Sequence, residues 1–72
     1  MNQKLARRFG EVLRKFRTDR DLSQEQLALS VGLDRTFVSM LERGVRQPTL
    51  ETIFRLCKEL QTKPSEMIRR VE

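Results

Sequence analysis

Histidine, tyrosine and tryptophan are absent from this 72-residue sequence, and cysteine occurs once, at Cys57. Without histidine there is no imidazole base, proton shuttle or Ser-His-Asp constellation. With one cysteine there is no disulfide scaffold and none of the usual zinc ligand sets, so no metal or other cofactor is expected. Long apolar runs are missing too: the longest uncharged stretch, residues 26–33, includes Gln26 and Ser30, far short of the about 20 apolar residues that span a bilayer. Lys4, Arg7 and Arg8 lead into Glu11, Arg14 and Lys15 instead of the apolar segment of a secretory signal. The expectation is a cytoplasmic, reduced protein that does not engage a membrane.

What is present is charge. Fifteen Lys and Arg against ten Asp and Glu give +5. The excess is uneven: +4 over residues 1–22, zero over 23–47 and +1 over 48–72. A positive chain suits nucleic acid, an anionic surface or an acidic protein, and net charge alone does not choose among them. Length narrows the field further. A chain this short forms one domain and buries only about 60% of the surface its unfolded state exposes. Acid-base chemistry would rest on Asp, Glu or Lys with no pocket to hold a substrate. A binding module is expected, not an enzyme, with no small-molecule ligand.

The apolar spacing is helical throughout, and no strand-like alternation or internal repeat occurs. Leu5, Phe9, Val12, Leu13 and Phe16 make one stripe of a first helix over residues 3–19, with Gly10 marking a close contact. Ser23 to Gln26 is a capping box opening a second helix with Leu27, Ala28 and Val31 inward, stopped at Gly32 and plugged by Leu33. Asp34 caps a third helix, Arg35 to Arg43, with Val38 and Leu41 inward and Gly44 at its end. Thr49 caps a fourth, where Leu50, Ile53, Phe54, Cys57 and Leu60 form the core stripe and Cys57 acts as a small buried hydrophobe. Pro64 opens a short fifth helix carrying Met67, Ile68 and Val71. The fold class is all-α.

Two short, separately capped helices joined by a tight glycine turn make a helix-turn-helix, whose second helix enters the major groove of DNA. With Val38 and Leu41 facing inward, Arg35, Thr36, Ser39 and Met40 face outward. Arg35 suits guanine O6 and N7, Thr36 and Ser39 suit base or phosphate, and Met40 suits a thymine methyl or packing on Phe37. Phe37 covers the junction of the two helices and can rest on the sugar-phosphate backbone. Arg7, Arg8, Arg14 and Lys15 are read as a solvated face that steers approach, not as contacts.

The combined motifs Leu22-Ser23-Gln24-Glu25-Gln26-Leu27-Ala28, Val31-Gly32-Leu33, Val38-Ser39-Met40-Leu41-Glu42-Arg43-Gly44 and Pro48-Thr49-Leu50-Glu51-Thr52 closely resemble the Cro/C1-type, or XRE, helix-turn-helix family. The segment 33–39 with Glu42 and Arg43 is also similar to the controller proteins of restriction-modification systems. The resemblance implies a compact five-helix, lambda-repressor-like DNA-binding domain over residues 1–72. The helix-turn-helix core would span 23–43, with a candidate dimerisation helix at 64–71. It implies a homodimeric transcriptional regulator on a palindromic operator, with RNA polymerase as a further partner if it activates.

Residue by residue, the resemblance implies base contacts from Arg35, Thr36, Ser39 and Met40, and backbone contacts from Gln24, Arg43 and Arg46. It also implies a partly buried Arg17–Glu42 salt bridge that orients the recognition helix. Met40 stands where polar residues are frequent, Thr62 where an apolar residue is common and Lys63 where Ser or Thr is common. For the dimer, Met67, Ile68 and Val71, with Leu56 or Leu60, supply apolar surface; closure of the monomer's own core is the alternative for the same side chains. A rival class is an antitoxin-like interaction module with secondary DNA binding, although nothing follows Val71 except Glu72.

Overall fold

The computed structural model describes residues 2–72. Its five helices are α1 (Gln3–Asp19), α2 (Gln24–Val31), α3 (Arg35–Arg43), α4 (Leu50–Glu59) and α5 (Pro64–Val71), and no strand occurs among the described residues. Their starts are set by side-chain caps. Ser23 Oγ accepts from the Gln26 amide at 3.0 Å while Gln26 Oε1 accepts from the Ser23 amide at 2.8 Å. Asp34 Oδ1 accepts from the Thr36 amide at 3.0 Å, and Asn2 caps α1 through the Leu5 amide at 3.0 Å. Lys63 gives α5 no side-chain cap, and Pro64 at the first turn compensates by fixing φ.

The first four helices end alike. An amide just beyond each helix donates back to a carbonyl in its last turn: Leu22 to Arg17 at 3.2 Å, Leu33 to Ala28 at 2.9 Å, Val45 to Met40 at 3.1 Å and Thr62 to Cys57 at 3.0 Å. This closure places the preceding residue in the left-handed region. Glycine occupies that position after α2 (Gly32, φ 72°) and α3 (Gly44, φ 76°), but after α1 and α4 it falls to Asp21 (φ 57°) and Gln61 (φ 55°). Only the glycine pair was legible as stop signals.

The core joins Phe9, Leu13, Leu27, Ala28, Val31, Val38, Leu41, Leu56, Cys57, Leu60, Met67 and Val71. Two stripes differ from the sequence expectation. On α1 the buried face is Ala6, Phe9, Gly10, Leu13 and Arg17, while Leu5 is exposed and Val12 and Phe16 lie at the edge. The helix is rotated towards Gly10 and Arg17 because α3 packs there. A Cβ at Gly10 would land on the carbonyl oxygens of Leu41 and Glu42, so glycine lets the two backbones touch. On α4, Leu50 and Phe54 point outward (71% and 55% exposed) and Leu56 turns fully inward. The true face there includes the polar Thr52, which apolarity alone would not choose.

The residues expected at a dimer surface divide by burial within the single chain. Met67 and Val71 are buried in the monomer's own core, as are Leu56 and Leu60; only Ile68 remains open. The fifth helix packs against both α1 and α4 and closes that core. Arg8 Nε donates to the Val71 carbonyl at 2.7 Å, satisfying an orphan acceptor at the helix C-terminus. The Arg70 guanidinium lies 5.1 Å from the Phe16 ring centroid, a cation–π contact holding α5 on α1.

Two expected results follow from these contacts. Thr49 Oγ1 accepts from the Thr52 amide at 3.1 Å, so Thr49→Ala should cost about 1 kcal/mol and lower the thermal midpoint by about 4–8 °C in a calorimetric scan. Cys57 is fully buried, its Sγ 3.7 Å from Met67 Sδ, and burial pushes its thiol pKa up. The raised folded-state pKa means that its contribution to stability is present below the ordinary thiol range and lost as pH climbs above it. Maleimide labelling near neutral pH should therefore proceed only as fast as the chain unfolds.

Candidate nucleic-acid interface

α3 is fixed from behind and bare in front. Val38 and Leu41 are fully buried, which orients the helix about its axis and turns Arg35 and Thr36 to solvent. Among the described residues no hydrogen bond or ion pair ties the Arg35 side chain, so its planar fork of donors is free. Ser39 and Met40 lie half-buried one turn further along, and Phe37 is half-buried against the core beside the turn from α2. Ser39 Oγ accepts from Arg43 Nε at 3.2 Å. That bond leaves the hydroxyl proton of Ser39 and the terminal nitrogens of Arg43 available. Arg43 and Arg46 are both exposed, at the end of α3 and in the following loop.

Behind this surface lies a largely buried ion pair. Arg17 donates from Nε to Glu42 Oε2 at 2.6 Å and from its terminal nitrogen to Oε1 at 3.0 Å. The geometry is bidentate, and the side chains are only 11% and 3% exposed. A third donor hydrogen of Arg17 reaches the Leu22 carbonyl at 2.7 Å. The fork is therefore satisfied in a fixed plane, and Glu42 cannot turn towards a base. The network clamps α3 to α1 and to the turn before α2.

Gln24 belongs to the same network. Its Nε2 donates to Glu42 Oε1 at 3.0 Å, a contact with no local sequence signal because the partners are 18 positions apart and meet only in the fold. One amide proton of Gln24 remains for an outside acceptor. Arg55 contributes from α4 by donating to the Val31 carbonyl, completing the end of α2. Gly32 allows this approach, since a Cβ there would stand 3.0 Å from the Arg55 guanidinium.

The result is a rigid two-helix unit with one polar, unpaired face. Among the described residues no group of three or more His, Cys, Asp or Glu side chains could hold a metal, and no helix is long and apolar enough to cross a membrane. Comparison with known proteins decides the class of this unit. A family model described as Helix-turn-helix (HTH_3) matches residues 13–67. The chain belongs to this helix-turn-helix family. The match starts at the middle of α1 and runs to Met67, so the family's frame takes in all five helices.

Among similar members, Control protein C.SmaI of Serratia marcescens is 42% identical over 61 residues, covering 85% of this chain and 73% of that protein. Control protein C.MunI of a Mycoplasma species is 38% identical over 66 residues, covering 90% and 89%. The crystal structure of the restriction-modification controller protein C.AhdI from Aeromonas hydrophila superposes with a TM-score of 0.83 at 44% identity, covering 86% of this chain and 94% of that one. The helix-turn-helix chain is thus similar to controller proteins in both sequence and fold.

Proposed function

We infer that this helix-turn-helix regulator binds duplex DNA with α3 in the major groove and reads a palindromic operator as a homodimer. In this arrangement Arg35, Thr36, Ser39 and Met40 meet the base edges. Gln24, Phe37, Arg43 and Arg46 lie along the sugar-phosphate backbone. The observation that carries the reading is the contrast on α3: an unpaired Arg35 and Thr36 on one side, and a saturated, buried Arg17–Glu42 clamp on the other. Fixed orientation behind and free donors in front are what direct base readout requires. The similarity to control proteins supports a regulatory role, with RNA polymerase as a further partner where bound protein activates. The site of action is the cytoplasm, with the DNA.

The dimer surface is proposed around Ile68, the one member of the expected trio that solvent reaches. It borders a cavity of about 280 Å³ whose lining includes Leu5, Phe9, Ile53 and Val71. Burying such a patch against a second copy removes apolar area from water, which is the main driving term of association. Sedimentation equilibrium at micromolar concentration tests this: wild type should run as a dimer and Ile68→Glu as a folded monomer. A monomeric wild type, unchanged by operator DNA, would remove the homodimer from the account.

A further inference from the structure

Beyond the expected contact residues, α1 brings a basic side chain to the end of α3. A notch of about 350 Å³ is lined by Gln3, Arg7, Arg43, Gly44 and Val45. It contains two arginines and no carboxylate. Among the described residues Arg7 has no hydrogen bond or ion pair, and Arg43 spends only its Nε, on Ser39. Of the other basic residues of α1, Arg8 is taken by the Val71 carbonyl, Lys15 by Asp19 and Arg17 by Glu42, while Lys4 and Arg14 are exposed and line no part of the notch.

The placement of Arg7 is built into the backbone. Gly44 has φ 76°, and a Cβ on it would stand 2.5 Å from Arg7 Cγ and 2.7 Å from Arg7 Cα. The missing side chain at Gly44 therefore serves two ends, closing α3 and admitting the Arg7 stem. Gln47 Nε2 donates to the Asn2 carbonyl at 3.4 Å, tying the loop that carries Arg46 to the start of α1. Along α3, Thr36, Ser39 and Arg43 follow at i, i+3 and i+7 and share one face. The notch continues that face from the base-reading positions onto α1.

We propose that this notch holds one DNA phosphate beside the read base pairs, gripped by the guanidinium groups of Arg7 and Arg43 with the Gln3 amide as a third donor. Two like charges lining one surface notch repel each other, and an oxyanion between them turns that repulsion into charge-assisted hydrogen bonds. Arg7 thus moves from the steering face, where the sequence placed it, to a phosphate-binding position. The inference rests on the DNA-binding reading above, because a duplex lying along the outward face of α3 is what brings a phosphate to the notch.

Anisotropy titrations of wild type, Arg7→Gln, Arg7→Lys and Arg14→Gln against an operator selected from random DNA and against a random duplex, each over a range of salt, test it. Arg14 is the charge-matched control: it is exposed on α1 and lines no part of the notch. Arg7→Gln should weaken both duplexes alike by about tenfold at low salt and reduce the slope of log affinity against log salt by about 0.9, the loss of one phosphate contact. Arg14→Gln should leave the slope unchanged, and Arg7→Lys should retain most of it.

An Arg7→Gln slope equal to that of wild type, or no larger a change than Arg14→Gln gives, overturns the phosphate site. Wild type that binds neither duplex overturns the DNA-binding reading itself, a separate outcome. Thermal midpoints of the same variants show whether the Arg7 stem on Gly44 matters for folding. A lost slope in Arg7→Gln at an unchanged midpoint supports the site, and a lowered midpoint with an unchanged slope contradicts it.

Discussion

Glu42→Ala should be the most damaging single substitution at a polar position, lowering stability by about 3–5 kcal/mol. The Arg17 guanidinium would keep its Leu22 contact but lose both bonds to Glu42, and a largely buried cation without its counter-charge carries the desolvation cost of the pair with none of the attraction. Gln24 loses its partner in the same step. A domain of this size has little stability to spare, so chemical denaturation should show a midpoint shifted well towards zero denaturant. The double variant Arg17→Met with Glu42→Leu should recover a large part of the loss, since an apolar pair of similar volume leaves no unpaired charge. An unchanged midpoint for Glu42→Ala would show that the clamp does not hold α3.

Arg35→Ala should act on recognition and leave folding alone. Its side chain is exposed and unpaired, so its removal creates neither a cavity nor an orphaned group, and surface changes of this kind fall within about 0.5 kcal/mol in stability. Against DNA the expected loss is about 1–3 kcal/mol of preference for operator over random sequence, the worth of one bidentate contact to guanine. Arg46→Ala should instead weaken operator and random DNA together and flatten the salt dependence. Paired titrations on the two duplexes separate these behaviours. Equal losses on both for Arg35→Ala would move that residue from the bases to the backbone.

Helix boundaries were largely readable because they depend on local chemistry. Ser23 with Gln26, Asp34 and Thr49 mark starts through bonds within three residues, Pro64 marks one through its fixed φ, and Gly32 and Gly44 mark ends through positive φ. The inward faces were less readable. Leu50 and Phe54 have core-like character yet face solvent, whereas Arg17 and Thr52 have surface-like character yet are buried. Arg17 is decided by a partner distant in sequence, Glu42, whereas Thr52 is satisfied locally, its hydroxyl accepting from Thr49 Oγ1 at 3.0 Å. The same rotation of α1 that buries Arg17 brings Arg7 over Gly44.

Charge shows a similar division. The sequence concentrates its positive excess in residues 1–22, but the fold spends those charges differently. Arg17 is structural, Arg8 fastens α5, and Arg7 is left free beside the reading helix. Specificity then falls to the electrically neutral segment 23–47, where placement of a few donors replaces net charge.

The central claim is that the outward face of α3 reads bases in a two-fold symmetric site. Selection of bound fragments from a random duplex pool, carried out with wild type and with Arg35→Ala, tests it most directly. The account predicts an enriched sequence with two inverted half-sites whose centres lie about 34 Å, one helical turn, apart. A guanine in each half-site should lose its enrichment when Arg35 is removed. Enrichment of no sequence, or of one unrepeated site indifferent to Arg35, would contradict the account.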